Sequence, residues 1–444
     1  MTRVHENTIA ELAARLRSGA VSAAELARRT LDAVAGRNAE LGAFAAVDAE
    51  GAREAARRAD AELAAGVDRG PLHGVPVAVK DNIDVAGLPV TRGSAHFAGR
   101  VAERDAECVR RLRTAGAVIV GTTTMHEVAY GPTGDRSVHG PARNPRDPAR
   151  MSGGSSGGAA VAVAAGLVPL AVGTDTGGSV RIPAALCGVA GFKPAFGALP
   201  TGGVFPLAAT LDHVGLIAGT AADCLLAYRA LVPLPGPPRR ETPARIGWAE
   251  PGPGLPIARP VAALARRALL GQDVTGVELP ALDELHRDFA AVQSSEAYAV
   301  HADRVAGRPE LFDPEVLDRL KGAAAMPGWR YVRALAARDG HRARFDDLFA
   351  RFDLLALPTV GITAPPLDTR QVEIDGVTVP VRDTLLALTS PWNLTGLPAL
   401  TVPAGTLDGL PVGLQLVCPP GREHMLFAVA DLLRPAALEG TLDA

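Results

Sequence analysis

The chain has 444 residues, 48% of them apolar and 4% aromatic, with 45 Lys plus Arg against 48 Asp plus Glu and a formal net charge of -3. That length suits one large α/β domain or two ordinary ones. Interspersed charge without a basic tract argues against nucleic acid as the main partner. The four cysteines, Cys108, Cys187, Cys224 and Cys418, include no CxxC pair and fit a reduced, intracellular chain. The N-terminus lacks an apolar signal core. The smoothest apolar stretch, residues 159–172, is interrupted by Gly166 and Pro169 and falls short of a membrane span. A soluble, cytoplasmic protein with no membrane association is expected.

In chain order, Thr8-Ile9-Ala10-Glu11 and Ser22-Ala23-Ala24-Glu25 each read as a capping box that opens a helix. A third helix is predicted over 48–65, then a short buried strand over 75–79. Residues 106–115 read as helix and 117–121 as a second buried strand. A helix of small residues follows over 158–165, with a strand at 170–173. Strands alternating with helices predict an α/β fold with a largely covered sheet. The Pro-rich segment 232–243 is the clearest break, read as a link between halves or as an exposed crossing loop. Beyond it come a strand at 245–248, a helix near 262–270 and a long helical zone over about 314–352. Strands at 354–358, 399–403 and 413–417 return to the sheet.

The chemistry begins with lysine. Only Lys80, Lys193 and Lys321 are present. Arginine stays protonated at any workable pH, whereas a buried lysine can lose its proton. Lys80 ends the apolar run Val75-Pro76-Val77-Ala78-Val79, and two glycine-flanked serines lie downstream. The first, Ser155 in Gly153-Gly154-Ser155-Ser156-Gly157-Gly158, has no P-loop ending after it. It does fit G-x-S-x-G, which would make Ser155 an α/β-hydrolase nucleophile served by a later histidine. His213, His286, His301, His341 and His424 follow in order, none in a distinctive setting.

The second serine closes Thr176-Gly177-Gly178-Ser179. Two glycines before a serine let successive N–H groups turn toward one point, a nest able to hold an oxyanion beside the attacking oxygen. A serine that merely ends a strand turn is the alternative. Lys193 reads as structural, pairing with a carboxylate or capping carbonyls. Arg181 is expected to tie loops together, with contact to a substrate carboxylate as the alternative, and Asp175 to order the nucleophile loop. His126-Glu127 lacks the second histidine of HExxH, since Tyr130 stands there, so no zinc site is expected. No metal or organic cofactor is called for.

From about Gly74 to Asp223 the chain resembles the amidase signature family. The resemblance is carried by His73-Gly74-Val75-Pro76, Lys80-Asp81-Asn82, Asn144-Pro145, the two serine loops, Gly191-Phe192-Lys193-Pro194 and Leu211-Asp212. It continues more loosely through Asp353-Leu354-Leu355, Pro358-Thr359, Asn393-Leu394-Thr395-Gly396-Leu397-Pro398 and Gly409-Leu410-Pro411-Val412-Gly413-Leu414-Gln415. It implies a large mixed, twisted β-sheet covered by helices on both faces, in a single compact domain over 1–444. The signature half would span about 66–231, the link 232–243 and the specificity half 244–444.

The same resemblance implies Ser179 as the acylated nucleophile, Lys80 as the ultimate base and Ser155 as the bridging serine, after a cis peptide bond. Thr176, Gly177, Gly178 and Ser179 would supply the oxyanion amides. A hydroxyl is a poor nucleophile until a neighbour takes its proton, and a lysine must be neutral to start that relay. The family often has asparagine at the positions of Thr124 and Arg136, in the segment that shapes the acyl pocket. Met125, Tyr130 and Arg136 are therefore the substrate-binding candidates, Arg136 either reading an anionic or strongly polar group or lying as a solvated surface residue. Trp329, Tyr331 and Trp392 could line a pocket, although core is the commoner role. The implied activity is hydrolysis of a small-molecule amide. The nearest alternative is the glutamine-hydrolysing amidotransferase subunit that serves charged tRNA, and a non-catalytic scaffold is the alternative of another class. Acyl group, leaving amine and oligomeric state stay open, a homodimer included.

Overall fold

The computed structural model describes residues 7–232, 244–249, 252, 255–280 and 282–433. Its strands before the Pro-rich segment are β1 Phe44–Val47, β2 Pro76–Lys80, β3 Val118–Thr123, β4 Leu170–Asp175, β5 Ala190–Lys193 and β6 His213–Ala218. After it come β7 Arg245–Ala249, β8 Asp273–Val277, β9 Leu354–Pro358, β10 Gln371–Ile374, β11 Val377–Pro380, β12 Ala399–Leu407 and β13 Leu410–Val417. Eleven strands form one sheet in the order β1-β3-β2-β4-β6-β5-β12-β13-β9-β7-β8, and β10 with β11 makes a separate hairpin. The sheet is mixed: β2 runs parallel to β3 and β4, and β7 to β8 and β9. The strands from β4 through β6, β5, β12 and β13 to β9 pair antiparallel.

Residues from both sides of the Pro-rich segment share this sheet, because Ala399, Leu400 and Thr401 pair with Lys193, Phe192 and Gly191. Residues 233–243 of that segment lie outside the described residues. Strand periodicity divides the core between two faces. Val77 and Val79 join a cluster with Leu112, Leu216 and Phe427, while Ala78 joins another with Val161 and Ile217. Helices Ile9–Arg17, Glu107–Thr114, Ala221–Leu231 and Glu423–Leu432 cover the first face. Helices Gly157–Ala164 and Arg181–Cys187 cover the second, and Leu282–Gly307 with Gly328–Arg351 extend that cover over the later strands. With both faces covered, β2, β3, β4 and β6 are buried throughout, which is why β2, β3 and β4 read as apolar runs and not as alternation.

Local signals and structure agree where capping is explicit. Thr8 and Glu11 make both bonds of the capping box. Ser22 makes only one, because the Glu25 carboxylate turns to Arg28 and Arg29. The helical zone after 314 is two helices, Pro314–Ala324 and Gly328–Arg351, with Pro327 as N-cap of the second. The 26-residue helix Leu282–Gly307 was not anticipated. Its buried side mixes Leu285, Phe289 and Val292 with Gln293, His301 and alanines, so its apolar stripe is faint. Among the described residues no helix is long and apolar enough to cross a membrane.

Trp392 belongs to the core: it is fully buried, donates to the Leu388 carbonyl at 2.8 Å and stands edge-on to Phe345 at 5.1 Å. Trp329 is 55% exposed. Trp392→Ala should therefore lose about 3–5 kcal/mol of stability, and Trp329→Ala less than about 0.5 kcal/mol. Urea unfolding of the two variants beside the parent checks the contrast.

Candidate active site

The parallel strands β2, β3 and β4 end together, Lys80 opposite Thr123 and Val79 opposite Val172. Carboxyl ends of parallel strands are where connecting loops diverge and sites form. Lys80 closes β2 and is completely buried. Its Nζ lies 2.7 Å from Ser155 Oγ, 2.7 Å from Thr174 Oγ1 and 3.5 Å from the Thr174 carbonyl. The Asn82 amide donates to Thr174 Oγ1 at 3.2 Å and to the Phe205 carbonyl at 3.3 Å, which steadies the acceptor. All these partners are neutral. Burial therefore pushes the Lys80 ammonium down to about 7, against the weaker opposing pull of Asp175 and Asp212.

Ser155 follows a cis Gly154–Ser155 peptide and is fully buried. Its loop is pinned on several sides: Gly154 N–H donates to the Pro132 carbonyl at 2.7 Å, and the Ser155 carbonyl accepts from His126 N–H at 3.0 Å. The next residue ties the two serine loops together, Ser156 N–H donating to the Ser179 carbonyl at 3.1 Å. Glycine is required here. A Cβ on Gly158 would stand 2.3 Å from the Ala43 carbonyl oxygen and 2.6 Å from that of Thr124.

Asp175 organises the loop that carries Ser179. Its carboxylate accepts from Gly178 N–H at 2.8 Å and from Val180 N–H at 3.1 Å. It also pairs with Arg181 through Nε at 3.0 Å and Nη2 at 2.8 Å, both side chains having no exposure. Burial alone would raise the Asp175 carboxyl, yet the Arg181 guanidinium holds it well below the usual range. Arg181 in turn donates to the Thr389 carbonyl, Gln415 Oε1 and Asn393 Oδ1 at 3.0, 2.7 and 2.6 Å. It thereby ties the loop to the later half of the chain.

This arrangement amends the expected oxyanion nest of Thr176, Gly177 and Gly178. The Gly178 N–H is captured by the Asp175 carboxylate, whereas the N–H groups of Thr176, Gly177 and Ser179 have no acceptor among the described residues. Gly178 has φ +131°, and a Cβ there would meet Thr389 Oγ1 at 2.3 Å. That hydroxyl donates to the Gly177 carbonyl at 2.6 Å, and Thr176 Oγ1 donates to Asp212 at 2.5 Å. Burial pushes the Asp212 carboxyl up to about 6, despite the bonds it accepts from Thr176, Ala208 and Leu207.

Other sequence candidates resolve clearly. No histidine side chain bonds the Ser155 hydroxyl among the described residues: His213 faces the Leu211 carbonyl, His286 that of Ala387, and His341 pairs with Asp288. Lys193 is buried and caps the Pro194 carbonyl at 3.1 Å. The turn 125–130 adjoins the site through the His126–Ser155 bond. Met125 and Tyr130 are buried there beside Phe97, Leu207 and Phe312, forming an apolar wall. Arg136 is partly exposed and already has acidic neighbours: it donates to Asp368 at 2.6 Å and lies 3.3 Å from Glu315 and 3.8 Å from Asp313. Thr174, Asn82 and Asp212 were missed as site residues. Their signal was position, each lying within two residues of a residue already singled out or inside a family-like motif.

The family model described as Amidase matches residues 25–427, and the chain belongs to the amidase signature family. It is 34% identical over 446 residues to AtzE, part of the 1-carboxybiuret hydrolase of Pseudomonas sp. (strain ADP), covering 95% of this chain and 96% of that protein. It is 36% identical over 467 residues to a glutamyl-tRNA(Gln) amidotransferase subunit of Symbiobacterium thermophilum, covering 93% of each. A crystal structure of an amidase superposes with a TM-score of 0.90 at 34% identity, over 96% of this chain and 100% of that one.

Removing one partner of a fully buried ion pair leaves an uncompensated charge, a loss of about 3–5 kcal/mol. Arg181→Ala should accordingly lower the urea midpoint by that equivalent and loosen the Ser179 loop, read by faster local hydrogen exchange at residues 176–181.

Proposed function

We propose that the protein hydrolyses the C–N bond of a small-molecule amide through an acyl-enzyme, with Ser179 as nucleophile, Ser155 as relay and Lys80 as base. The observation that carries this reading is Lys80 itself: buried, bonded to Ser155 Oγ at 2.7 Å and without a carboxylate in contact, a setting that pushes its ammonium down to about 7. A neutral Nζ takes the Ser155 proton as Ser155 takes that of Ser179, and Ser179 Oγ bonds to the carbonyl carbon. The carbonyl oxygen gains the negative charge, which the N–H groups of Thr176, Gly177 and Ser179 can neutralise. On collapse the C–N bond breaks, and the proton returns through Ser155 to the departing amine. Water then repeats the attack on the ester, releasing the acid and restoring Ser179. Met125 and Tyr130 are proposed to wall the acyl pocket.

Ser179→Ala should cost at least about 10⁴ in kcat/KM, and Ser155→Ala or Lys80→Ala about 10²–10⁴. A fluorophosphonate probe should label the parent and not Ser179→Ala. Ammonia release from a panel of aliphatic, aryl and urea-type amides is the assay. No release together with no labelling would overturn the reading.

The pH dependence has a definite sign. The active form is the neutral amine, so kcat/KM should rise with pH, tenfold per unit well below about 7, and level off above it. Asp212 favours the ammonium, so Asp212→Asn should move that limb to lower pH. A shift to higher pH would assign the limb to another group.

A second reading draws on the relative named for amidotransferase activity. Under it this chain would release ammonia only with partner subunits. Hydrolysis of simple amides by the purified chain alone separates the two.

A further inference from the structure

A cavity of about 400 Å³ lies against the nucleophile loop, lined among others by Pro256, His286, Phe289, Arg382, Leu386 and Ser390. Its contact with the loop is direct. A Cβ added to Gly177 would stand 2.6 Å from Phe289 Cζ and 3.4 Å from Leu386 Cδ2, so these two walls press on the backbone that presents the free amides. Thr389, between Leu386 and Ser390 in sequence, bonds the same glycine's carbonyl.

Arg382 is out of keeping with the other arginines of this region. Arg370 pairs with Asp135 at 2.9 Å and Glu315 at 2.7 Å, Arg319 with Glu315 at 2.9 Å, and Arg136 with Asp368 at 2.6 Å. Among the described residues, Arg382 has one hydrogen bond, from Nη2 to the neutral Gln293 Oε1 at 3.3 Å, and its buried Nε has no partner. Asp283 and Asp383 also line the cavity, and Asp383 acts on the guanidinium only as a minor charge effect, without a hydrogen bond to it. Burial lowers its pKa, and the like charge of Arg319 adds to that. A guanidinium presents a planar fork suited to two carboxylate oxygens. Here no carboxylate among the described residues is in contact with the guanidinium, and a cavity lies beside it instead.

We infer that Arg382 binds a carboxylate carried by the substrate, and that the substrates are small amides bearing an acid group remote from the scissile bond. The inference rests on the amidase reading for its chemistry, and it moves the anion-binding role from Arg136, whose carboxylates are already in place, to Arg382.

Calorimetric binding to the full-length Ser179→Ala protein tests it without turnover. The probes are the half-amides of malonic, succinic, glutaric and adipic acid, each beside the neutral primary amide of equal chain length. At least one half-amide should bind about tenfold or more tighter than its neutral counterpart. Adding Arg382→Gln should erase that preference to within about twofold, and Arg382→Lys should restore part of it. Equal binding of acid and neutral amides, no binding of any half-amide, or a preference that survives Arg382→Gln would overturn the inference. Because the readout is binding, selective binding by Ser179→Ala, with neither ammonia release nor fluorophosphonate labelling of the parent, would refute the hydrolase reading and leave the carboxylate-binding role of Arg382 standing.

Discussion

The site depends on one constraint: a lysine amine taken wholly out of water and given only neutral partners. Coulomb attraction to a contacting carboxylate would offset the desolvation of the ammonium and keep it charged. At Lys80 the contacts are two hydroxyls and a carbonyl. The two acids that pull on it exert weaker effects, Asp175 with its charge committed to Arg181, and Asp212 with its own ionisation opposed by burial. An uncharged amine next to a serine hydroxyl near pH 7 follows from that arrangement. Arginine at position 80 could not provide it.

Holding the arrangement is the task of the Asp175–Arg181 pair. A buried ion pair stabilises little by itself, but this one sits where several other polar groups converge. Asp175 shapes the turn by capturing Gly178 and Val180 N–H groups, and Arg181 reaches Thr389, Asn393 and Gln415 beyond the Pro-rich segment. Together with the β5–β12 pairing, this places residues of both halves around one loop. The capture of Gly178 has a chemical consequence: a nest of successive amides becomes a set from which one member is withdrawn to set the geometry of the rest.

Much of this was legible in the residues. The scarcity of lysine and the apolar run before Lys80 exposed a buried amine, and the short strands β2, β3 and β9 were readable because each is a continuous apolar run bounded by turn residues. The amide nest was half-readable. Glycine spacing announces a nest, but whether an amide points at a ligand or at Asp175 depends on a side-chain rotamer that no spacing encodes. Arg136 and Arg382 make the same point. Both are arginines near a pocket, and only three-dimensional neighbours, Asp368 for one and an open cavity for the other, separate their roles. The helix Leu282–Gly307 escaped notice because its inward side carries Gln293 and His301, polar residues that dilute the helical period.

Burial among neutral partners brings the Lys80 amine to about half-neutral near pH 7, and the chain's three lysines make its titration directly observable. Nitrogen-15 labelling of the lysine side chains, with the Lys80 signal assigned by its loss in Lys80→Met, allows its titration to be followed from pH 5 to 11. A midpoint near 7 is expected. A Lys80 signal that stays protonated to pH 10 would contradict it.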